Sequence, residues 1–215
     1  MILALLSLFA PPLEGSIAVR ENGMPVTASP GVVMPKPGDD VAVLRTNHGD
    51  IWIRFYPEQA PKHVANFLEL SGNGFYDGIK FHRVIPDFMI QGGDPNSKDS
   101  DRQNDGTGGY TVDGRERTLA AEFNSIKHTP GVVSMARSSN PNSASSQFFI
   151  MVATSTHLDG QYSAFGQVFS GMDAVRRIVS LPRDGADNPL ASNPAVIEDA
   201  QALTWDVKYL KGGNE

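Results

Sequence analysis

Few residues of this chain have the type and spacing to do chemistry, and most of those that could are arranged wrongly for it. There is no cysteine, which removes disulfides, thiolate nucleophiles, iron–sulfur clusters and thiolate zinc sites together. The five histidines, His48, His63, His82, His128 and His157, show no ligand spacing between any two, so no metal site is expected. No GxSxG elbow, HExxH helix, GxxxxGKS/T loop or GxGxxG turn occurs, and with them go the common hydrolase, metalloprotease and nucleotide-binding signatures. Serines are dense from Ser138 to Ser146, but the stretch is also rich in Asn and Pro and reads as a loop rather than a nucleophile. Asp99, Asp101 and Asp105 in the polar run from Asp94 to Gly109 invite a calcium reading. That run lacks the terminal bidentate Glu and the ordered spacing of a calcium loop, so it is taken as solvated surface.

What remains is an apolar run with one cation in it. Phe81-His82-Arg83-Val84-Ile85-Pro86-Asp87-Phe88-Met89-Ile90-Gln91-Gly92-Gly93-Asp94 places Arg83 in a strand-like segment ahead of Phe88, Met89 and Gln91. Two readings stay open on physics alone. In one, Phe88 and Met89 are core and Arg83 snorkels at the surface. In the other, Phe88 and Met89 line an apolar pocket that a guanidinium polarises.

The elements that would position these residues are mostly strands. At 215 residues, 40% hydrophobic and 20% charged, the chain suits one globular domain with an appendage. Gly (21) and Pro (15) reach about 17% against a usual 12% or so, which favours many turns and a β-rich fold. Lys plus Arg is 18 against 24 Asp plus Glu, a net charge of −6, the wrong sign for a nucleic-acid partner. Val41 to Leu44, the turn Asn47-His48-Gly49-Asp50, and Ile51, Ile53 and Phe55 alternating with Trp52, Arg54 and Tyr56 read as an opening hairpin. Helices are expected at Pro61–Leu70 and Gly171–Leu181, from their apolar spacing and their Pro and Gly boundaries. Short strands are expected at Lys80–Val84, Phe88–Gln91, Val132–Met135, Gln147–Val152, Ala164–Phe169 and within Val196–Val207. Many short strands with two separated helices and no βαβ alternation imply a closed antiparallel barrel with helices at its ends.

Residues 1–33 read as a flexible extension or signal segment, and 34–215 as the domain. The apolar run Ile2–Ala10 has nine residues, under half of the ~20 a membrane-spanning helix needs, so no membrane span is expected. Its length suits a signal-peptide core, and Ser16-Ile17-Ala18 offers a cleavage spacing, but no Lys or Arg precedes it. A cytoplasmic location is expected, or an exported one if residues 1–18 act as a signal; Met34 is an alternative start.

Three blocks, FHRVIPDFMIQGGDP, GVVSMARSSNPNSASSQFFI and HLDGQYSAFGQV, closely resemble the signature segments of the cyclophilin-type peptidyl-prolyl cis–trans isomerases. The resemblance runs from about Val41 to about Tyr209, and Arg137 after Met135-Ala136 looks like the bacterial branch. It implies a closed eight-stranded antiparallel β-barrel capped by two α-helices, no cofactor, and an enzyme that turns X-Pro bonds in flexible or unfolded protein segments. By position it makes Arg83 the catalytic residue and Phe88, Met89, Phe149 and Leu158 the proline pocket. It gives Gln91 and Gln147 the peptide backbone, and Ala136 and Arg137 the substrate main chain. His157 stands where a tryptophan is usual, so weak binding of the cyclic peptide cyclosporin is expected, and Tyr162 stands where a histidine is usual. The 94–109 run looks several residues longer than in compact members. A monomer is expected, and a Pro-peptide binding or chaperone module with little turnover is the alternative function.

Overall fold

The computed structural model describes residues 31–206; the run Ile2–Ala10, the Ser16-Ile17-Ala18 spacing and Tyr209 lie outside them. The chain opens with β1 (Asp40–Thr46) and β2 (Gly49–Phe55), the expected hairpin, turning at Asn47-His48. Its alternation sorts two faces. Ala42, Leu44, Ile51 and Ile53 enter the main core, while Val41, Val43 and Trp52 join Phe169, Leu203 and Trp205 on the opposite side, with Val32 and Met34 packed against them.

Helix α1 (Pro61–Gly72) starts where Pro61 is pre-shaped for a first turn. Ala60, at its N-cap position, offers no side-chain acceptor. Glu122 supplies one from sixty residues away, accepting from the backbone N–H groups of Lys62 and His63 at 3.1 Å. The chain continues through β3 (Arg83–Ile85), β4 (Met89–Gly92), the small hairpin β5 (Thr111–Val112) and β6 (Arg115–Glu116), β7 (Val132–Met135), β8 (Phe148–Met151) and β9 (Ala164–Ser170). Gly171 then turns into α2 (Met172–Val179), and β10 (Ile197–Thr204) is the last described strand.

Eight strands form one antiparallel sheet in the order β10-β1-β2-β9-β7-β8-β4-β3. Its inner face and the two helices bury Phe67, Tyr76, Phe81, Phe148, Phe165 and Val175. The architecture is mainly β with two helices, as expected, but the closed barrel is not. The sheet is an open, strongly curled half-barrel whose end strands, β3 and β10, share no ladder. β3 is only three residues long, shorter than the expected Lys80–Val84. The reason is local: residues 78–81 bond instead to the start of β10, through Gly78 N to Ile197 O, Ile197 N to Ile79 O and Phe81 N to Ala195 O at 2.7–2.9 Å. The β5–β6 hairpin was not expected; Asp113-Gly114 at its tip, both with positive φ, is a tight-turn pair. Among the described residues no helix is long and apolar enough to cross a membrane.

Candidate active site

Register brings the site together. In the β3–β4 hairpin Arg83 faces Gln91, in the β4–β8 pair Gln91 faces Phe149, and in the β7–β8 pair Phe149 faces Ser134. One row across four strands thus carries Arg83, Gln91, Phe149 and Ser134. Because side chains alternate, Met89 and Gln91 share the outer face with Phe149 and Met151, while Ile90, Phe148 and Ile150 point into the core. The three-residue turn Pro86-Asp87-Phe88 closes the β3–β4 hairpin, with Asp87 at φ 58° and Phe88 N bonded to Ile85 O at 3.1 Å. It stands Phe88 up at the rim.

A hollow of about 210 Å³ opens on this outer face, lined by Arg83, Phe88, Met89, Gln91, Ala136, Arg137, Phe149, Leu158 and Tyr162. The size suits a single small ring better than a drug-sized ligand. Met89, Phe149 and Leu158 are almost fully buried. Two more of the residues singled out from sequence border the hollow. His157, exposed, stacks on Phe88 with ring centroids 5.8 Å apart. Gln147 lies beside Gln91, its Oε1 accepting from Gln91 Nε2 at 2.9 Å, and lines an adjoining depression with Gly106, Gly108, Glu116 and Ser143.

Polar groups are tied in a fixed order. Arg83 Nη1 donates to Gln91 Oε1 at 3.3 Å, and Gln147 Nε2 donates to the carbonyls of Gly106 and Gly108 at 3.0 and 2.8 Å. Among the described residues Arg83 makes no other hydrogen bond or ion pair, so the rest of its donor fork is free for a ligand. Arg137 lies over Tyr162, its Cζ 4.5 Å from the ring, with donors on the carbonyls of Gln161 and Ser138. Gly93 makes the junction possible. At φ 92° it sits against Ser146, where a Cβ would come within 2.3 Å of the Ser146 carbonyl oxygen, and Ser146 Oγ donates back to the Gly93 carbonyl at 2.7 Å.

Sequence reasoning missed what lies beneath. His128, fully buried, has Nδ1 3.2 Å from Asp159 Oδ1 and Nε2 3.2 Å from Ser134 Oγ, and it stacks on Phe149 at 6.1 Å. The trio has the residue types of a hydrolase triad, but Ser134 is 0% exposed and no substrate reaches it. Burial, ahead of the Asp159 hydrogen bond, holds the His128 imidazole below its ordinary range, so it is neutral at pH 7. Its place under Phe149 and Tyr162 makes it a floor for the hollow. The three residues lie far apart in sequence with no motif spacing, and no local signal joins them. The serines of 138–146 bond to one another and to nearby loop groups, and no cluster that could hold a metal occurs among the described residues.

This geometry can be set beside known proteins. The family profile described as cyclophilin type peptidyl-prolyl cis-trans isomerase/CLD matches residues 41–202. A probable peptidyl-prolyl cis-trans isomerase of Brucella abortus is 43% identical over 160 residues, spanning 73% of this chain and 79% of that one. Peptidyl-prolyl cis-trans isomerase ppi1 of Schizosaccharomyces pombe is 43% identical over 162 residues, 74% of this chain and 97% of that one. The crystal structure of a Cryptosporidium parvum cyclophilin type peptidyl-prolyl cis-trans isomerase, determined in the presence of the dipeptide Ala-Pro, superposes with a TM-score of 0.66 at 33% identity and covers 75% of this chain and 97% of that one. With its outer-face hollow, its curled sheet and a profile match over most of its length, the chain belongs to the cyclophilin-type peptidyl-prolyl cis–trans isomerases.

Proposed function

We propose that this peptidyl-prolyl cis–trans isomerase turns X-Pro bonds in the outer-face hollow, with Arg83 as the catalytic residue. The observation that carries the reading is a guanidinium with most of its donors free, in a row with Gln91 and at the edge of a ring-sized apolar hollow. Rotation about an X-Pro amide is opposed by C–N conjugation, a barrier of about 18–20 kcal/mol. Nothing needs to be transferred. Phe88, Met89, Phe149 and Leu158 hold the proline ring still, and Ala136, Arg137, Gln91 and Gln147 hold the flanking main chain while the acyl side turns, so binding energy is used on the twisted state. As conjugation is lost the proline nitrogen becomes pyramidal and basic, and the Arg83 fork donates to it; a permanently charged planar group is well suited to that. The substrates are proline-containing flexible protein segments, in keeping with the Ala-Pro dipeptide present with the Cryptosporidium relative.

The test compares wild type with Arg83→Ala and Arg83→Lys by exchange NMR on a proline-containing tetrapeptide, with circular dichroism to show that each is folded. Arg83→Ala should lower kcat/KM by roughly 10²–10³, about 2.7–4 kcal/mol of transition-state stabilisation. Arg83→Lys should recover little, since it loses the fork. A folded Arg83→Ala protein with more than about half the wild-type rate would overturn the assignment, and retained peptide affinity without Arg83-dependent turnover would favour a binding module.

A further inference from the structure

The 94–109 loop is gripped in its middle as well as at its ends. Arg102 donates through Nη2 to the Asp184 carboxylate at 2.6 Å and to the Asn188 carbonyl at 3.2 Å, and through Nη1 to the Pro189 carbonyl at 2.7 Å. Three residues on, Asp105 accepts from Asn188 Nδ2 at 2.6 Å. Both grips close on the same 182–190 loop, which follows α2.

Each loop also touches the site. The carbonyls of Gly106 and Gly108, at the end of the first loop, receive both hydrogens of the Gln147 amide, which forces Oε1 of Gln147 toward Gln91. Gln91 must then present its own NH₂ to Gln147 and its Oε1 to Arg83. On the other side, the carbonyl of Asp187 in the second loop accepts from Val84 N at 2.8 Å. That bond satisfies the free edge of β3 one residue after Arg83. The contacts close into a ring: Arg83, Gln91, Gln147, the Gly106–Gly108 carbonyls, Arg102 and Asp105, the 182–190 loop, and back to β3.

We infer that Arg102 is a positioning residue for the isomerase reaction: by clasping the 94–109 loop onto the 182–190 loop it fixes the carbonyls that orient Gln147, and through Gln91 it orients the Arg83 guanidinium. The inference rests on the reading of Arg83 as the catalytic residue. Gly106 N–H also bonds to the Asp94 carboxylate and Thr107 to Asn96 and Asn104, so loss of Arg102 loosens rather than frees the Gly106 and Gly108 carbonyls, and they hold the Gln147 amide less firmly in one sense. An amide reversed at Gln147 reverses Gln91 in turn and sets an NH₂ group against the Arg83 fork, where donor meets donor. The 94–109 loop thus serves the site from a distance. Arg102 suits the task because its rigid planar fork spreads donors over two nitrogens, Nη2 to the carboxylate and one carbonyl and Nη1 to the other, whereas an ammonium offers its donors from a single nitrogen.

A double-mutant cycle on kcat and KM, read by exchange NMR, tests this. Arg102→Ala should remain folded by circular dichroism and lose about tenfold in kcat/KM, mostly in kcat, as expected of a misplaced catalytic group. Arg102→Lys should recover little of it. In a Gln147→Ala background the same Arg102→Ala change should cost less than about twofold, because the route it acts through is already gone. Equal losses in the two backgrounds, or a folded Arg102→Ala within about twofold of wild type, would overturn the clasp while leaving the Arg83 reading intact. Wild-type turnover in Gln147→Ala would overturn the clasp's route and count against the site reading too. Should Arg102→Ala fail to fold, Asp184→Asn removes the charge that Arg102 holds and is read in the same cycle.

Discussion

At the scale of single residues, the outer-face hollow is built from ordinary side chains whose value lies in their neighbours. His157 is an example. It stacks on Phe88 at the rim and is exposed, and it supplies less flat apolar surface than a tryptophan would. His157→Trp should therefore strengthen inhibition by cyclosporin by about tenfold or more, a gain of about 1.4 kcal/mol, while leaving peptide turnover nearly unchanged. Inhibition curves for the two forms decide it; superimposed curves would mean that position 157 does not meet the ligand. The rim and pocket residues were named through the resemblance of three short blocks; the residues alone left Arg83, Phe88 and Met89 open between a surface cation over core and a polarised pocket. Those beneath or around the hollow were not legible. Ser134, His128 and Asp159 meet only after β7 and the 156–158 turn are folded together, and Arg102 finds its partners more than eighty residues along the chain.

At the scale of elements, α1 shows how a helix can take its cap from elsewhere. Ala60 supplies no acceptor, and the Glu122 carboxylate bonds to the Lys62 and His63 N–H groups and to His63 Nδ1 at 2.6 Å. Partial burial by itself would raise the Glu122 carboxyl; the hydrogen bonds from His63 and from the two backbone groups outweigh it and hold the carboxyl below its usual range. Glu122→Ala should therefore cost about 1–2 kcal/mol from the lost cap and helix-end charge, with more from the buried His63 left unpaired. Chemical denaturation measures it, and a loss under about 0.5 kcal/mol would show that water replaces the carboxylate. Both helices and the opening hairpin could be read from sequence, since apolar spacing and Pro or Gly boundaries act locally. The Glu122 cap could not, as its acceptor sits in an extended segment without periodicity. The two-residue strands β5 and β6 were likewise missed, although Asp113-Gly114 was the turn signal that could have revealed them.

At the scale of the whole molecule, three buried imidazoles set the acid limit of stability. His63, His82 and His128 are all held below the ordinary range, by burial first, with the nearby carboxylates Glu122, Asp94 and Asp159 pulling the other way and losing. The unfolded chain takes up protons at these positions below about pH 6.5 while the folded one resists, so stability is full above that pH and falls as the pH drops toward the folded values. The hydrogen-bonded carboxyls of Glu122, Asp159 and Asp184 are held low and act in the same direction further down, from about pH 4. Calorimetry should find Tm level from pH 8 to about pH 6.5 and falling from there to pH 5, and His82→Gln should lessen that fall; a Tm independent of pH would mean that the imidazoles charge freely in the fold. The β-rich, two-helix architecture was legible from turn density and strand spacing, but the opening between β3 and β10, where a closed barrel was expected, was not, because it depends on how residues 78–81 meet 195–197 rather than on any strand's own pattern. That seam has a dynamic consequence. Amides within β1 are flanked by strands on both sides, whereas residues 78–81, ahead of β3, meet residues 195–197 through a few bonds alone. In hydrogen–deuterium exchange the seam should open as a separate low-energy unit, exchanging well before β1. Since residues 78–81 lead directly into Arg83, warming should extinguish turnover at temperatures where most of the sheet is still protected.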